Sequence, residues 1–225
     1  MKEMKAKNYR ALAAEKCKPM SGRLALIYFL YTILLLGISG LSFIPPYWTT
    51  VIKDPKPHEI TLFSLGDIFV SIINFLIAGA FVFSFALIAM KVNKNERCDV
   101  EDVFAGFHCF WRAFIVNFVR DFFVALWTLL LIVPGIIKSL SYSMTIYIAI
   151  DNPNIGTLDA IDRSKTMMRG YKWKFFCLNI SYIGWILLSI LTLGILFFWV
   201  EPKMQQARYQ FYLNLKNKNK TKSKQ

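Results

Sequence analysis

Leu24–Ile44 reads LALIYFLYTILLLGISGLSFI and Ile68–Met90 reads IFVSIINFLIAGAFVFSFALIAM, and neither stretch contains a charge. A helix needs about 20 apolar residues to cross the hydrocarbon core, because every backbone amide there must find its partner within the segment. Both stretches meet that length. Buried helices of a soluble core are ordinarily shorter. The composition agrees: 56% of the 225 residues are hydrophobic and 18% charged, against roughly a quarter charged in soluble domains. Mean hydropathy is +0.42. The first stretch follows a long basic leader, exceeds a signal core in length and ends without an A-x-A site, so it reads as an uncleaved span.

Outward from these two spans the chain alternates between basic, amphipathic and apolar segments. Residues 2–18 predict a basic amphipathic helix stopped by Pro19, lying in the headgroup layer or simply solvated. Pro45, Pro46, Pro55 and Pro57 mark the connection to Asp67 as an irregular surface loop, and Tyr47 and Trp48 suit the membrane interface. Ala80 and Ser84 offer a small-residue face for helix contact. Val100, Val103, Phe104, Phe107, Phe110, Trp111 and Phe114 recur at helical spacing behind a capping pair, Asp99 and Asp102. They predict an amphipathic surface helix ahead of the third span. Ala113–Ile150 is too long for one crossing, and Pro134-Gly135 predicts a hairpin turn within it.

Residues 151–171 predict a second surface helix ahead of the fifth span, with Leu158, Ile161, Met168 and Tyr171 on its apolar side. Trp173–Val200 forms either one long span or a second hairpin turning near Thr192-Leu193-Gly194. The hairpin would place Glu201, Lys203, Gln205, Gln206 and Arg208 at an interface or against a wet interior. The expected fold is therefore all-α: a polytopic transmembrane bundle of about six spans, or five without the second hairpin. A leader (1–23), a transmembrane domain (24–213) and a disordered basic tail (214–225) divide it. A weak repeat relates Trp111, Trp127 and Gly135 to Trp173, Trp185 and Gly194 in order, but not in spacing.

The formal charge of +13 would suggest nucleic acid in a soluble protein. Here the basic residues flank apolar runs, which makes them an orientation signal and an attraction to anionic headgroups. Seven precede the first span, four lie between Lys91 and Arg112, five between Arg163 and Lys174, and five in the tail; the outer loop has Lys53 and Lys56 alone. Both termini are expected in the cytoplasm. Anionic membrane lipids are the expected partners, and the small-residue faces leave room for homo- or hetero-oligomers.

The chain carries no H-E-x-x-H, P-loop, G-x-S-x-G or G-x-G-x-x-G. Cys17, Cys98, Cys109 and Cys177 form no CxxC pair, and with His58 and His108 they lack the spacing of a zinc site. They read as free thiols in apolar surroundings. No catalytic residue, metal or cofactor is expected. Polar residues within the spans are the remaining candidates, since an ionisable group in a membrane is costly. They are Asn117, Arg120, Asp121, Lys138, Tyr142, Asn179 and Tyr182. If they neutralise one another or reach the headgroups, the protein is structural, regulatory or lipid-interacting. If they line one wet cavity, it moves a small solute. An intramembrane enzyme is the weakest of the three readings.

Leu130–Met144, LLIVPGIIKSLSYSM, resembles the hallmark of a bacterial membrane family catalogued as domain of unknown function 975. The likeness continues through Asp151-Asn152-Pro153, Ala160-Ile161, Ser164-Lys165, Met168, Gly170, Trp173, Phe176-Cys177-Leu178, Ile183-Gly184-Trp185 and Leu191-Thr192-Leu193-Gly194. The leader departs from it: Gly22 precedes Arg23 and Leu24, where the family often has Gly-x-Trp. The resemblance implies a polytopic protein of the bacterial plasma membrane and implies no reaction.

Overall fold

The computed structural model describes residues 5–41, 65–192 and 194–222, and all the regular structure among them is helical. The start of the leader, the end of the first apolar stretch, the proline-rich loop up to Ser64, Leu193 of the second predicted turn and the last three residues of the tail lie outside the described residues. The first stretch is helical from Ser21 to Leu41 (α2) and the second from Leu65 to Asn93 (α3). They pack through aromatic rings, Tyr28 stacking on Phe85 at 4.3 Å and Tyr31 meeting Phe81 at a tilt at 4.8 Å. Among the described residues four helical segments are long and apolar enough to cross a membrane: Phe75–Asn93, Val100–Leu130, Ile132–Asp151 and Lys172–Leu191.

The predicted capping pair is in place. Asp99 and Asp102 form a reciprocal capping box, and Lys91 pairs with Asp102 at 2.5 Å. The segment they cap, Val100–Cys109, is a 3₁₀ helix rather than an α-helix. In a 3₁₀ helix side chains three apart eclipse, which lines Val103 and Gly106 up against α3; both are buried. A Cβ on Gly106 would sit 2.1 Å from the Ala80 carbonyl oxygen. The Gly106 amide donates to Ser84 Oγ at 2.8 Å, and that hydroxyl donates to the Ala80 carbonyl at 3.1 Å. Ala80 and Ser84 thus make the close helix contact their size predicts.

The first hairpin forms, but its reversal falls earlier than expected. α4 (Phe110–Leu130) ends where Leu131 adopts an extended backbone, and α5 (Ile132–Tyr142) returns from there. Pro134 and Gly135 are therefore not the turn. They sit in the first turn of α5, where the proline's missing amide costs nothing. Gly135 has a different task. A Cβ there would lie 2.3 Å from Thr128 Oγ1 and 2.7 Å from Thr128 Cα, so its absence lets α5 lie against α4.

The chain breaks again at Ser143-Met144 before α6 (Thr145–Asp151) and then forms α7 (Thr157–Met168). Ser164 of α7 repairs the break. Its hydroxyl donates to the Ser141 carbonyl at 2.7 Å and accepts from the Met144 amide at 3.2 Å, fully buried. Removing it orphans two buried backbone groups. Ser164→Ala should cost about 1–3 kcal/mol, the penalty for unsatisfied buried polar groups. Chemical unfolding in detergent would measure this; an unchanged midpoint would show that the break needs no support. α7 buries Ala160, Ile161, Ser164 and Met168, while Leu158 is exposed.

The second hairpin also forms. α8 (Lys172–Ile180) and α9 (Ile183–Leu191) run toward Gly194, and α10 (Phe197–Lys222) returns. Gly194 has φ +84°, a left-handed conformation natural to glycine. Its counterpart in the repeat, Gly135, serves a close approach instead, so the two hairpins are alike in order and not in construction. Phe175 meets Phe211 and Asn179 meets Arg208, which sets α8 antiparallel to α10. α10 runs through the centre of the molecule, burying Val200, Ala207, Phe211, Tyr212 and Leu215. The disordered tail expected from residue 214 is instead helical through Lys222. It is anchored because the Lys216 ammonium and the Tyr212 hydroxyl both bind the Asp151 carboxylate.

α1 (Ala6–Cys17) is not a merely solvated leader. Tyr9, Ala13 and Cys17 are buried, with Tyr9 against Phe211 at 5.3 Å and the Cys17 thiol 3.9 Å from the Pro202 carbonyl. Lys16 reaches the carbonyl of Asn93, and the Gln210 amide donates to the Asn93 side chain. The leader, the end of α3, the start of α8 and the tail therefore meet at one end of the bundle. From there the return limb of the second hairpin carries only Phe197–Val200 before Glu201 and Pro202. Phe198 packs on Phe29 of α2, so the hairpin tip lies beside the middle of α2 rather than at its far end.

Candidate functional site

The polar residues within the apolar segments do not gather into one site. Asn117, buried on α4, donates to the carbonyls of Gly79 at 3.0 Å and Ala113 at 2.8 Å, cross-linking α4 to α3. Its side-chain oxygen is buried without a partner. Arg120 and Asp121 pair with each other, two guanidinium nitrogens approaching Asp121 Oδ1 at 2.8 Å. The Lys138 ammonium lies 4.2 Å from the Trp127 ring centre, a cation–π contact across the hairpin. Tyr142 is buried, with Lys165 over its ring. Asn179 donates to the Phe175 carbonyl and accepts from Arg208 Nε at 3.1 Å. Each has a neighbour that accounts for it.

Arg112 belongs to the same pattern. Its guanidinium donates to the carbonyls of Ala149 at 3.0 Å and Asn152 at 2.8 Å, closing the C-terminus of α6. A cation there answers both the orphan carbonyls and the negative end of the helix dipole. Gln206, expected from the sequence at an interface or against a wet interior, is buried between α10 and the α2–α3 pair. It adjoins a cavity of about 10 Å³, the size of a single water.

Tyr182 alone leads to a larger feature. Its hydroxyl donates to the Lys203 carbonyl at 3.3 Å, and the Arg10 guanidinium lies 5.4 Å from its ring centre. Around it, α1, the α8–α9 junction and the start of α10 line a half-open cavity of about 560 Å³. Lys7, Arg10 and Lys203 supply cations, and among the described residues no carboxylate lines it. Trp185, Trp199, Leu196 and Val200 supply an apolar wall. Beyond this wall the hairpin tip presents bare hydrocarbon, Leu191 being 80% exposed.

The sequence displays these residues separately: Lys7 and Arg10 as the polar side of the leader, Trp185 within an apolar run, Lys203 as a charge misplaced in a span. Only the docking of α1 on α10 brings them together, and no local pattern announces it. The thiols take no part. Cys17 and Cys98 are buried, and burial pushes them up to about 12 and about 11, which leaves them protonated and unreactive. Among the described residues no three His, Cys, Asp or Glu side chains gather as metal ligands.

Four helical segments among the described residues, each long and apolar enough to cross a membrane, point to the class of polytopic helical membrane proteins. Within that class the chain belongs to the family described as "Protein of unknown function (DUF975)", whose profile matches residues 4–138 and 128–219. No curated protein and no solved structure matches the chain.

Proposed function

We propose that this is a non-catalytic, lipid-interacting protein of the bacterial plasma membrane, with both termini at the cytoplasmic face. In this reading α2 and α3 cross the bilayer. The α4–α5 and α8–α10 hairpins enter from the cytoplasmic side, the second returning before it has crossed. That depth brings Glu201, Lys203 and Arg208 to headgroup level and removes the difficulty of charges in a sixth span. The observation that carries the proposal is the division of the charges. Arg120 is held by Asp121, Lys138 by Trp127 and Asn179 by Arg208, whereas Lys7, Arg10 and Lys203 line a largely apolar cavity with no carboxylate among its described lining residues. A solute path would need the first group facing one channel. An anionic lipid surface needs the second.

The test is stability in bilayers of defined charge. Each basic residue near an anionic surface contributes about 1 kcal/mol at low salt. Nanodiscs of phosphatidylglycerol should therefore raise the unfolding midpoint by several degrees over phosphatidylcholine. The gap should close as the Debye length shrinks from about 10 Å at 0.1 M toward about 3 Å at 1 M salt. Equal midpoints in the two lipids at low salt would end this reading.

A further inference from the structure

We infer that the cavity between α1, the α8–α9 junction and the start of α10 binds one anionic phospholipid, its phosphate at Lys7, Arg10 and Lys203 and an acyl chain along Trp185 and Trp199. The inference rests on the lipid-interacting reading and goes further, from a charged surface to a single built site.

Three features of the cavity select this ligand. Its cations come from two helices far apart in sequence, and among the described lining residues no carboxylate answers them. A phosphate there restores neutrality, and charge-assisted hydrogen bonds of this kind are about twice as strong as neutral ones. Arg10 is also steadied: its guanidinium lies against the Tyr182 ring, whose hydroxyl is tied to the Lys203 carbonyl. The arginine and the lysine thus share one scaffold. Next, the volume of about 560 Å³ falls within the range of small-molecule pockets, about 300–1,000 Å³. A bare phosphate would leave most of it empty, and the indole-lined wall offers a phosphate nothing. A headgroup with the first part of an acyl chain uses both the cations and the wall. Finally, the hairpin continues past the cavity into exposed apolar side chains, with Leu187, Ile190, Leu191 and Ile195 all more than half exposed. An acyl chain entering from the bilayer would follow that surface to the cations without leaving hydrocarbon. A free anion would have no such route.

The experiment uses the full chain in phosphatidylcholine micelles, titrated with phosphatidylglycerol carrying brominated acyl chains, which quench nearby tryptophan. A saturable quenching component at a few mole per cent of the brominated lipid is expected. It should lose most of its amplitude in Trp185→Phe/Trp199→Phe. Arg10→Gln/Lys203→Gln should weaken it at least tenfold, while Arg10→Lys/Lys203→Arg retains it. Ala11→Phe, which fills part of the cavity, adds no tryptophan and leaves every charge in place, should abolish it. Neutralising Lys218, Lys220, Lys222 and Lys224 to Gln should leave it unchanged while reducing the general stabilisation by anionic nanodiscs.

Equal quenching by brominated phosphatidylcholine would overturn the inference, as would wild-type binding by the Ala11→Phe variant. Full competition by millimolar inorganic phosphate would reassign the cavity to free anions and overturn the lipid. If the saturable component is absent yet anionic nanodiscs still stabilise the protein, the pocket fails and the broader reading stands. If neither is seen, both fail.

Discussion

Gly135→Val should pry the first hairpin apart. A Cβ at this position falls 2.7 Å from Thr128 Cα, an atom of the facing backbone that no rotamer change can move. Overpacking a core typically costs about 1–3 kcal/mol, and more where the neighbour cannot yield. The variant should therefore lose about 3 kcal/mol or more and accumulate poorly in the membrane. A second change separates the backbone from the side chain. Thr128→Ala removes the hydroxyl that lies nearest, at 2.3 Å, yet leaves Cα in place, so it should rescue little. Unfolding in detergent, compared across the single and double variants, measures both effects. Full rescue by Thr128→Ala would mean that the side chain alone sets the spacing, and a stable Gly135→Val would mean that α4 and α5 do not lie this close.

The same residues show what the sequence could and could not reveal. Pro134-Gly135 announced a hairpin because prolines and glycines interrupt apolar runs for few reasons. It could not reveal which of those reasons applied. Leu131 takes the reversal with ordinary extended angles, leaving no compositional mark. Ala80 and Ser84 were legible because small residues four apart on an apolar helix have little purpose but contact. Asp99 and Asp102 were legible because a cap is a local structure. Partners distant in the chain were not. Arg112 reads in the sequence as one more basic residue flanking an apolar run, but its carbonyl partners lie 37 and 40 residues away. Asp151 and Lys216 are 65 apart, and nothing near Lys216 distinguishes it from the other lysines of the tail. Periodicity tells which face of a helix is buried and not what buries it. The candidate cavity depends on one such docking, α1 against α10, so its cations appeared in the sequence as unrelated flanking charges.

Charge reversal at Arg120 and Asp121 should produce the other large effect. The two side chains are neighbours on α4, held at 2.8 Å, with Arg120 19% and Asp121 45% exposed. Exposure here is to the surroundings of an apolar helix, flanked by Phe118 and Phe122 on its outer face. Arg120→Asp leaves two adjacent carboxylates and Asp121→Arg two adjacent guanidiniums, each a net charge without a partner. An unpaired charge within a membrane helix costs roughly 3 kcal/mol on insertion scales. Each single variant should therefore fall several-fold in membrane abundance. The double variant, Arg120→Asp with Asp121→Arg, restores neutrality at the same place on the helix and should recover most of the loss. Quantitative blotting of membrane fractions provides the measurement. Near-normal abundance in all three would show that water reaches both groups and that the pair is dispensable. Loss in all three, with no recovery in the double variant, would show instead that one position requires its own sign, as a passing ion or a fixed headgroup would demand. The 2.8 Å contact between adjacent residues argues for recovery, since the partner each needs is the other and the swap preserves it.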